Sequence, residues 1–530
     1  MIFKKSNNKL LIIVISKPGQ DISSYLGAFL LRVILNNKKK GSVLLFDFML
    51  NLDYSKISPY YIGENYVLKD GSFADFRAGI YERITGISLC KENVESLGSI
   101  LYDILNKEYK GYYLGSYIDF NYTFIQEFEE KISRLLEKYD ILVLDIKMSN
   151  FIYYSLLRNT LNAIKKKYSI FVIYPTYVKD FDQLSLESIE HEYRLINSYL
   201  KPDTYIVLSK YSIPERVKNK IRELMDRKIL IFEDVNERPY NLLEVIENLI
   251  GVINESRNIK LRFILDQLWH NCFKVMEDSP LLDIAIITKY PFSKADLSLE
   301  EGLMISAYKY GYGVNTFHLD AESIEKMPYE EVERILNKFD GVVMGHGFGE
   351  AGVRGMIKSI KICREDKIPF LGVGYGFELA VIEFLKNVIG IGDASSEEWS
   401  FRSRSKVFKV IPGKEKLEGF GAGLRRGEYK VHILKDTILH RIYNKTVINE
   451  RFKHRYMFDE NFLNFVKRGG GVMSAYSFED DNKIWCAFEL PRNMHPFFVA
   501  VLYSPEYNTN FYNGHPLLDA FIKEIVKKNR

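Results

Sequence analysis

Residues 339–384 read FDGVVMGHGFGEAGVRGMIKSIKICREDKIPFLGVGYGFELAVIEF. The apolar run Gly341–Met344 predicts a short buried strand, and the turn Gly345-His346-Gly347-Phe348-Gly349 follows it. A helix and a second strand, Pro369–Val373, come next, and this strand turns sharply at Gly374-Tyr375-Gly376 into a helix from Phe377. Strand, sharp turn and helix make the geometry of a nucleophile elbow, which projects one residue at the mouth of a sheet beside backbone N–H groups able to hold an oxyanion. Further strands are expected upstream at Asp283–Thr288 and Val314–His318, and the segments downstream are more antiparallel in pattern. Residues 282–530 therefore read as one α/β domain.

The first half repeats the theme. Leu10–Ile15, Ser42–Phe46, Ile141–Ile146, Ser169–Ile173 and Thr204–Leu208 are short continuous apolar runs, alternating with helical stretches such as Phe124–Lys138 and Ile213–Arg227. Such runs mark a parallel sheet covered on both faces. Residues 1–253 form the expected first α/β domain, and the polar stretch 254–281 an expected linker. The basic start MIFKK before Leu10–Ile15 imitates a signal peptide, but the run is short and Ser16-Lys17-Pro18-Gly19 ends it as a strand-to-loop turn.

Composition sets the outer limits. A chain of 530 residues has room for roughly two to four domains. With 73 basic and 69 acidic residues the net charge is +4, too even for disorder or for a dedicated nucleic-acid surface. Lys38-Lys39-Lys40 and Lys165-Lys166-Lys167 are short runs of the kind found on solvated faces. A mean hydropathy of −0.14 excludes a multi-span membrane protein. Cys90, Cys272, Cys363 and Cys486 stand far apart with no CxxC pair, which argues against a zinc site or a disulfide framework and for a reducing, cytoplasmic setting.

The elbow stretch closely resembles the glutamine amidotransferase domain of the CTP synthase family, whose strand-turn-helix reads L-G-I-C-L-G-M-Q. Asp393-Ala394-Ser395-Ser396-Glu397-Glu398-Trp399 resembles the family's N-A-N-S-T-E-F, His454-Arg455-Tyr456 its H-R-Y, Tyr503-Ser504-Pro505-Glu506-Tyr507 its F-H-P-E-F, and Asn513-Gly514-His515-Pro516-Leu517 its D-G-H-P-L. The first half resembles the family's amidoligase (synthase) domain. Asp47-Phe48-Met49-Leu50-Asn51-Leu52-Asp53 falls on D-P-Y-x-N-V-D, and Gly79-Ile80-Tyr81-Glu82-Arg83 on G-H-Y-E-R. Ser58-Pro59, Gly63-Glu64, Asp70-Gly71 and the Tyr-Leu-Gly of residues 113–115 also match. The resemblance implies a P-loop-like amidoligase domain with a parallel sheet, followed by a class I glutamine amidotransferase-like α/β domain.

The departures fall on chemistry. The family's elbow cysteine attacks the glutamine amide, a histidine takes its proton and a glutamate orients the histidine. Here those positions are Gly374, Ser504 and Glu506. Glycine carries no nucleophile and a serine hydroxyl is no base near neutral pH, so glutamine hydrolysis is expected to be lost. Gly347, Glu378 (for the family's Gln), Glu398 and Arg455 remain where the family holds glutamine, although ion pairing or capping accounts for such residues equally well. His346 and Tyr375 are a conceivable replacement site, with packing the more ordinary role for each.

In the first half the family's phosphate loop, G-G-V-V-S-S-L-G-K-G, is replaced by Ser16-Lys17-Pro18-Gly19-Gln20-Asp21-Ile22-Ser23-Ser24. The closing Gly-Lys is gone, Pro18 removes a donor and Asp21 repels phosphate. Lys17, Gly19, Ser23, Ser24 and Asp47 are the remnants. Arg77 stands where the resemblance places a magnesium-binding aspartate, with Asp75 two residues before it, and Asp145 where it places a metal-binding glutamate. Lys147–Ser155 replaces the small-residue G-G-T-V-G-D-I-E-S, and Asp180-Phe181-Asp182-Gln183 the phosphate-gripping K-T-K-P-T-Q. The expectation is a family scaffold without its chemistry. Its role would be structural or regulatory, as a homo-oligomer (tetramer or filament) or in a complex with an active CTP synthase. An ammonia-dependent CTP synthase, or a sensor that binds ATP, UTP, CTP, Mg²⁺ or glutamine, is the alternative.

Overall fold

The computed structural model describes residues 9–16, 21–148, 150–178, 183–224, 229–233, 235, 242–264, 279–400, 403–417 and 423–528. The chain divides into two compact units, Met1–Asp53 with Ile80–Gln267, and Tyr54–Gly79 with Leu268–Arg530.

The first unit is built on a seven-stranded sheet. Its order is Val94–Ser96, Gly41–Asp47, Ile141–Lys147, Leu10–Ser16, Ser169–Val178, Thr204–Ser209, Ile229–Phe232. Every pairing in it is parallel. Leu10–Ser16 and Gly41–Asp47 are buried at every position, as a sheet covered on both faces requires. All five strands expected from the apolar runs are present. The short Val94–Ser96 and the half-buried Ile229–Phe232 complete the edges. The chain leaves Leu10–Ser16 toward one edge and later returns past it to the other. The carboxyl end of that central strand is therefore the switch point where open α/β sheets bind ligands. The helix Phe120–Lys138 starts at Asp119, whose carboxylate accepts the Tyr122 N–H at 2.8 Å.

The second unit carries a nine-stranded sheet. In order its strands are Gly313–Asp320, Leu281–Thr288, Gly341–Met344, Phe370–Val373, Phe498–Val501, Asn482–Glu489, Val472–Glu479, Arg425–Ile433 and Val447–His454. The first five are mutually parallel and the rest antiparallel, which matches the pattern read from the sequence.

The boundary between the halves differs from the expected 1–253. Residues 54–79 pack with the second unit, and their carbonyls accept from its buried cations. Arg451 Nη1 donates to Val67 O at 3.1 Å and to the Tyr66 hydroxyl at 3.3 Å, and Lys453 Nζ donates to Asn65 O at 3.0 Å. The segment forms a small hairpin, Tyr66–Val67 against Phe73–Ala74. Of the expected linker 254–281, residues through Arg257 end the helix Leu243–Arg257, residues 258–264 are irregular, and 265–278, including Cys272, lie outside the described residues. No described helix is long and apolar enough to cross a membrane.

Candidate functional site: a filled elbow

Three neighbouring parallel strands of the second unit, Gly341–Met344, Phe370–Val373 and Phe498–Val501, end side by side. Their following residues bring His346, Gly374, Ser504 and Glu506 to one edge, and the next strand, Leu281–Thr288, adds Lys289.

Gly374 sits at φ +58°, ψ −106°, the N-cap of the helix Tyr375–Asn387. Its N–H donates to Val501 O at 2.8 Å and its carbonyl accepts from Phe377 N–H at 3.1 Å, so both sides of the turn are held. A Cβ at Gly376 would lie 2.7 Å from Met344 O, so the helix can approach the strand only on a glycine. The elbow is thus formed in full, without its side chain.

The imidazole of His346 occupies that space. A Cβ added at Gly374 would lie 2.4 Å from His346 Nδ1 and 2.9 Å from Cε1. The other ring nitrogen, Nε2, bonds Glu506 Oε1 at 2.6 Å and lies 3.3 Å from Ser504 Oγ. Glu506 and Ser504 are fully buried. The carboxylate that the resemblance assigns to orienting a histidine at 504 therefore still holds a histidine, supplied by a different loop. Tyr507 stacks on the same ring, centroids 6.0 Å apart and 17° from parallel.

Residues expected from the resemblance to be glutamine-pocket remnants lie beside it. Gly347 is backed by Lys289 and Tyr375: a Cβ there would meet Lys289 Cδ at 2.8 Å and Tyr375 Cδ1 at 3.1 Å. Lys289 Nζ donates to the carbonyls of Phe348 (2.8 Å) and Gly349, and rides 4.6 Å above the Tyr375 ring. Tyr375 OH donates to Gly349 O at 2.7 Å, and Gly349 N–H donates to Glu398 Oε1 at 2.7 Å. The glycine-rich turn, the tyrosine and Glu398 are thus bonded to one another.

Burial sets the charges. Glu378 is buried, its Oε2 has no hydrogen-bond partner, and its carboxyl is pushed well above the usual range by desolvation, then by Glu398, with Lys289 opposing. Desolvation also raises Glu398, against the Gly349 N–H, Lys289 and Arg455. Lys289 is pulled down to about 8 by its own burial. Sequence reading missed Lys289. Its one signal was a lysine directly after the buried strand Leu281–Thr288. None of the described cysteines reaches the elbow: Cys363 and Cys486 are buried, with thiols pushed up by desolvation, and Cys90 lies in the first unit.

In the first unit, Ser23 and Ser24 stand buried in the first turn of the helix Ile22–Asn36, and Asp21 is its N-cap. The Asp21 side chain makes no cap hydrogen bond to the helix, yet its negative charge lies at the positive helix end where a phosphate would otherwise sit. Lys17 and Gly19 lie outside the described residues. Asp47 ends its strand 3.9 Å from Lys147 Nζ, and Asp145 accepts from Ser16 Oγ at 3.2 Å. Met148, at a glycine of the resembled segment, and Tyr154, at its glutamate, join the apolar core, and Tyr153 stacks on Phe48 at 4.8 Å. Asp180, Phe181, Asp182 and the side chain of Gln183 lie outside the described residues.

The implied magnesium does not fit the residues at Arg77. Arg77 Nε donates to Asp75 Oδ1 and Oδ2 at 3.0 and 2.9 Å, and both side chains are 1% exposed. Among the described residues no group of three or more His, Cys, Asp or Glu could hold a metal ion.

Comparison with known proteins places both halves. Residues 14–249 match the family described as CTP synthase N-terminus, and residues 295–524 match the class-I glutamine amidotransferases. The chain is 28% identical to the CTP synthase of Carboxydothermus hydrogenoformans, with 98% of each chain covered. It is 26% identical to that of Aquifex aeolicus, again with 98% of each covered, and 28% identical to that of Methanocaldococcus jannaschii, with 96% of each. Among solved structures, the Trypanosoma brucei CTPS glutaminase domain with bound acivicin aligns at 27% identity and TM-score 0.43, covering 46% of this chain and 94% of that one.

Proposed function

The chain belongs to the CTP synthase family, with its synthase and glutamine amidotransferase halves in order, and on that premise we propose that it keeps the scaffold without glutamine hydrolysis. The observation that carries this reading is the imidazole of His346 standing where an elbow side chain would begin. Acyl transfer needs a nucleophile next to a base. Gly374 supplies none, and the imidazole bonded to Glu506 stands in the nucleophile's place. The Arg77–Asp75 pair supports loss of the amidoligase step as well, because a guanidinium takes the carboxylate a cation would need.

The role that remains is structural or regulatory, exerted through assembly with itself or with an active CTP synthase. Purified protein is expected to release no glutamate from glutamine above the buffer rate. It is also expected to form no CTP from UTP, ATP and ammonium. Glutamate release at a rate proportional to protein overturns the first claim, and CTP formation the second. Co-purification with the active enzyme of the same cell, read by mass spectrometry, checks the partner.

A further inference from the structure

We propose that Arg77 is the resident cation of this chain, and that no divalent metal binds at Asp75. The inference deepens the reading above and rests on the family placement of Arg77. It adds a property of its own: this part of the fold needs no metal to neutralise its buried acid.

The ion pair is local and buried. Asp75 directly precedes the helix Phe76–Thr85 and Arg77 lies in its first turn. The Asp75 carboxylate accepts the Arg77 backbone N–H at 3.2 Å as well as Nε at 3.0 and 2.9 Å on its two oxygens. Lys294 Nζ lies 5.5 Å from the centre of the ring of Phe76, which stands between the two residues in sequence. Lys294 belongs to the same unit and is pulled down to about 8 by its own burial.

Magnesium takes oxygen ligands in near-octahedral geometry at about 2.0–2.1 Å. To admit it, the guanidinium would have to leave both oxygens. It would then remain as a second cation beside the ion in a medium that screens charge poorly. An arginine is charged at every working pH, so the pair stays neutral without any solute.

Chelator-treated full-length protein, titrated with Mn²⁺ and followed by the EPR signal of the free ion, tests this. Wild type is expected to leave the signal at its buffer value, with a Tm unmoved by Mg²⁺ or EDTA. Arg77→Asp, which gives Asp75 a second acid in place of the cation, is expected to draw the signal down stoichiometrically, and Arg77→Lys to leave it unchanged. A stoichiometric Mn²⁺ bound by wild type and abolished by Asp75→Asn overturns the proposal. An ion that survives Asp75→Asn lies elsewhere and agrees with it. If Arg77→Asp does not fold, the wild-type and Asp75→Asn titrations still decide. Neither readout depends on the glutamate or CTP assays, so the two readings fail separately.

Discussion

His346 and Gly374 define each other at the elbow. A side chain at 374 meets the imidazole at 2.4 Å and must also adopt φ +58°. Restoring only the cysteine is therefore expected to fail: Gly374→Cys should give no glutaminase activity and lose about 1–3 kcal/mol of stability in urea unfolding. In the double variant with His346→Ala, part of that loss should return, because the steric share belongs to the pair; strictly additive losses would contradict the contact. Glu378 offers a second test. Its carboxyl is held well above the usual range, so the folded chain binds a proton that the unfolded chain releases as pH rises past ordinary carboxylate values. Stability contributed by the wild-type residue therefore falls with rising pH in that window. Glu378→Gln should match wild type near pH 4 and become progressively more stable than it as pH rises toward 7–8, because only the wild-type fold must take up a proton there. A difference that does not change with pH would refute the assignment.

At the scale of elements, the segment 54–79 shows most clearly what a linear reading misses. Its residues match the family's first half in sequence, yet its carbonyls satisfy Arg451 and Lys453 on the strand Val447–His454. Glu428 N–H also donates to Lys69 O at 3.0 Å. Nothing in apolar periodicity announces such a pairing, because the partners are single polar atoms separated by hundreds of positions. The strands were legible for the opposite reason: continuous burial on both faces leaves an unbroken apolar run, as in Leu10–Ser16. Arg451→Ala removes a charged donor from Val67 O and the Tyr66 hydroxyl. It is expected to cost about 1.5–3 kcal/mol and to raise hydrogen exchange in 66–74 first. Exchange rising evenly over the whole second unit would show that the segment has no separate anchorage.

For the whole molecule, the sequence shows where the chain departs from the resembled motifs but not which side chains meet there. Gly374, Ser504 and Arg77 were legible as departures from the resembled motifs because a motif position either holds a given atom or does not. That His346 would reach Glu506, or that Arg77 would close on Asp75, depends on side chains meeting across turns, which spacing alone does not encode. The same distinction governs where the chain can be divided. A cut through the expected linker, 254–281, separates residues 54–79 from the unit that contains them. A fragment of residues 282–530 would hold Arg451 and Lys453 buried without their carbonyl acceptors, at a cost well beyond that of a surface truncation. That fragment is expected to unfold with a lower Tm and a broader transition by circular dichroism than the same fragment joined through a flexible linker to residues 54–79. Equal, sharp melting of both would mean that the segment only rests on the second unit, and the boundary would return to the one the sequence suggests.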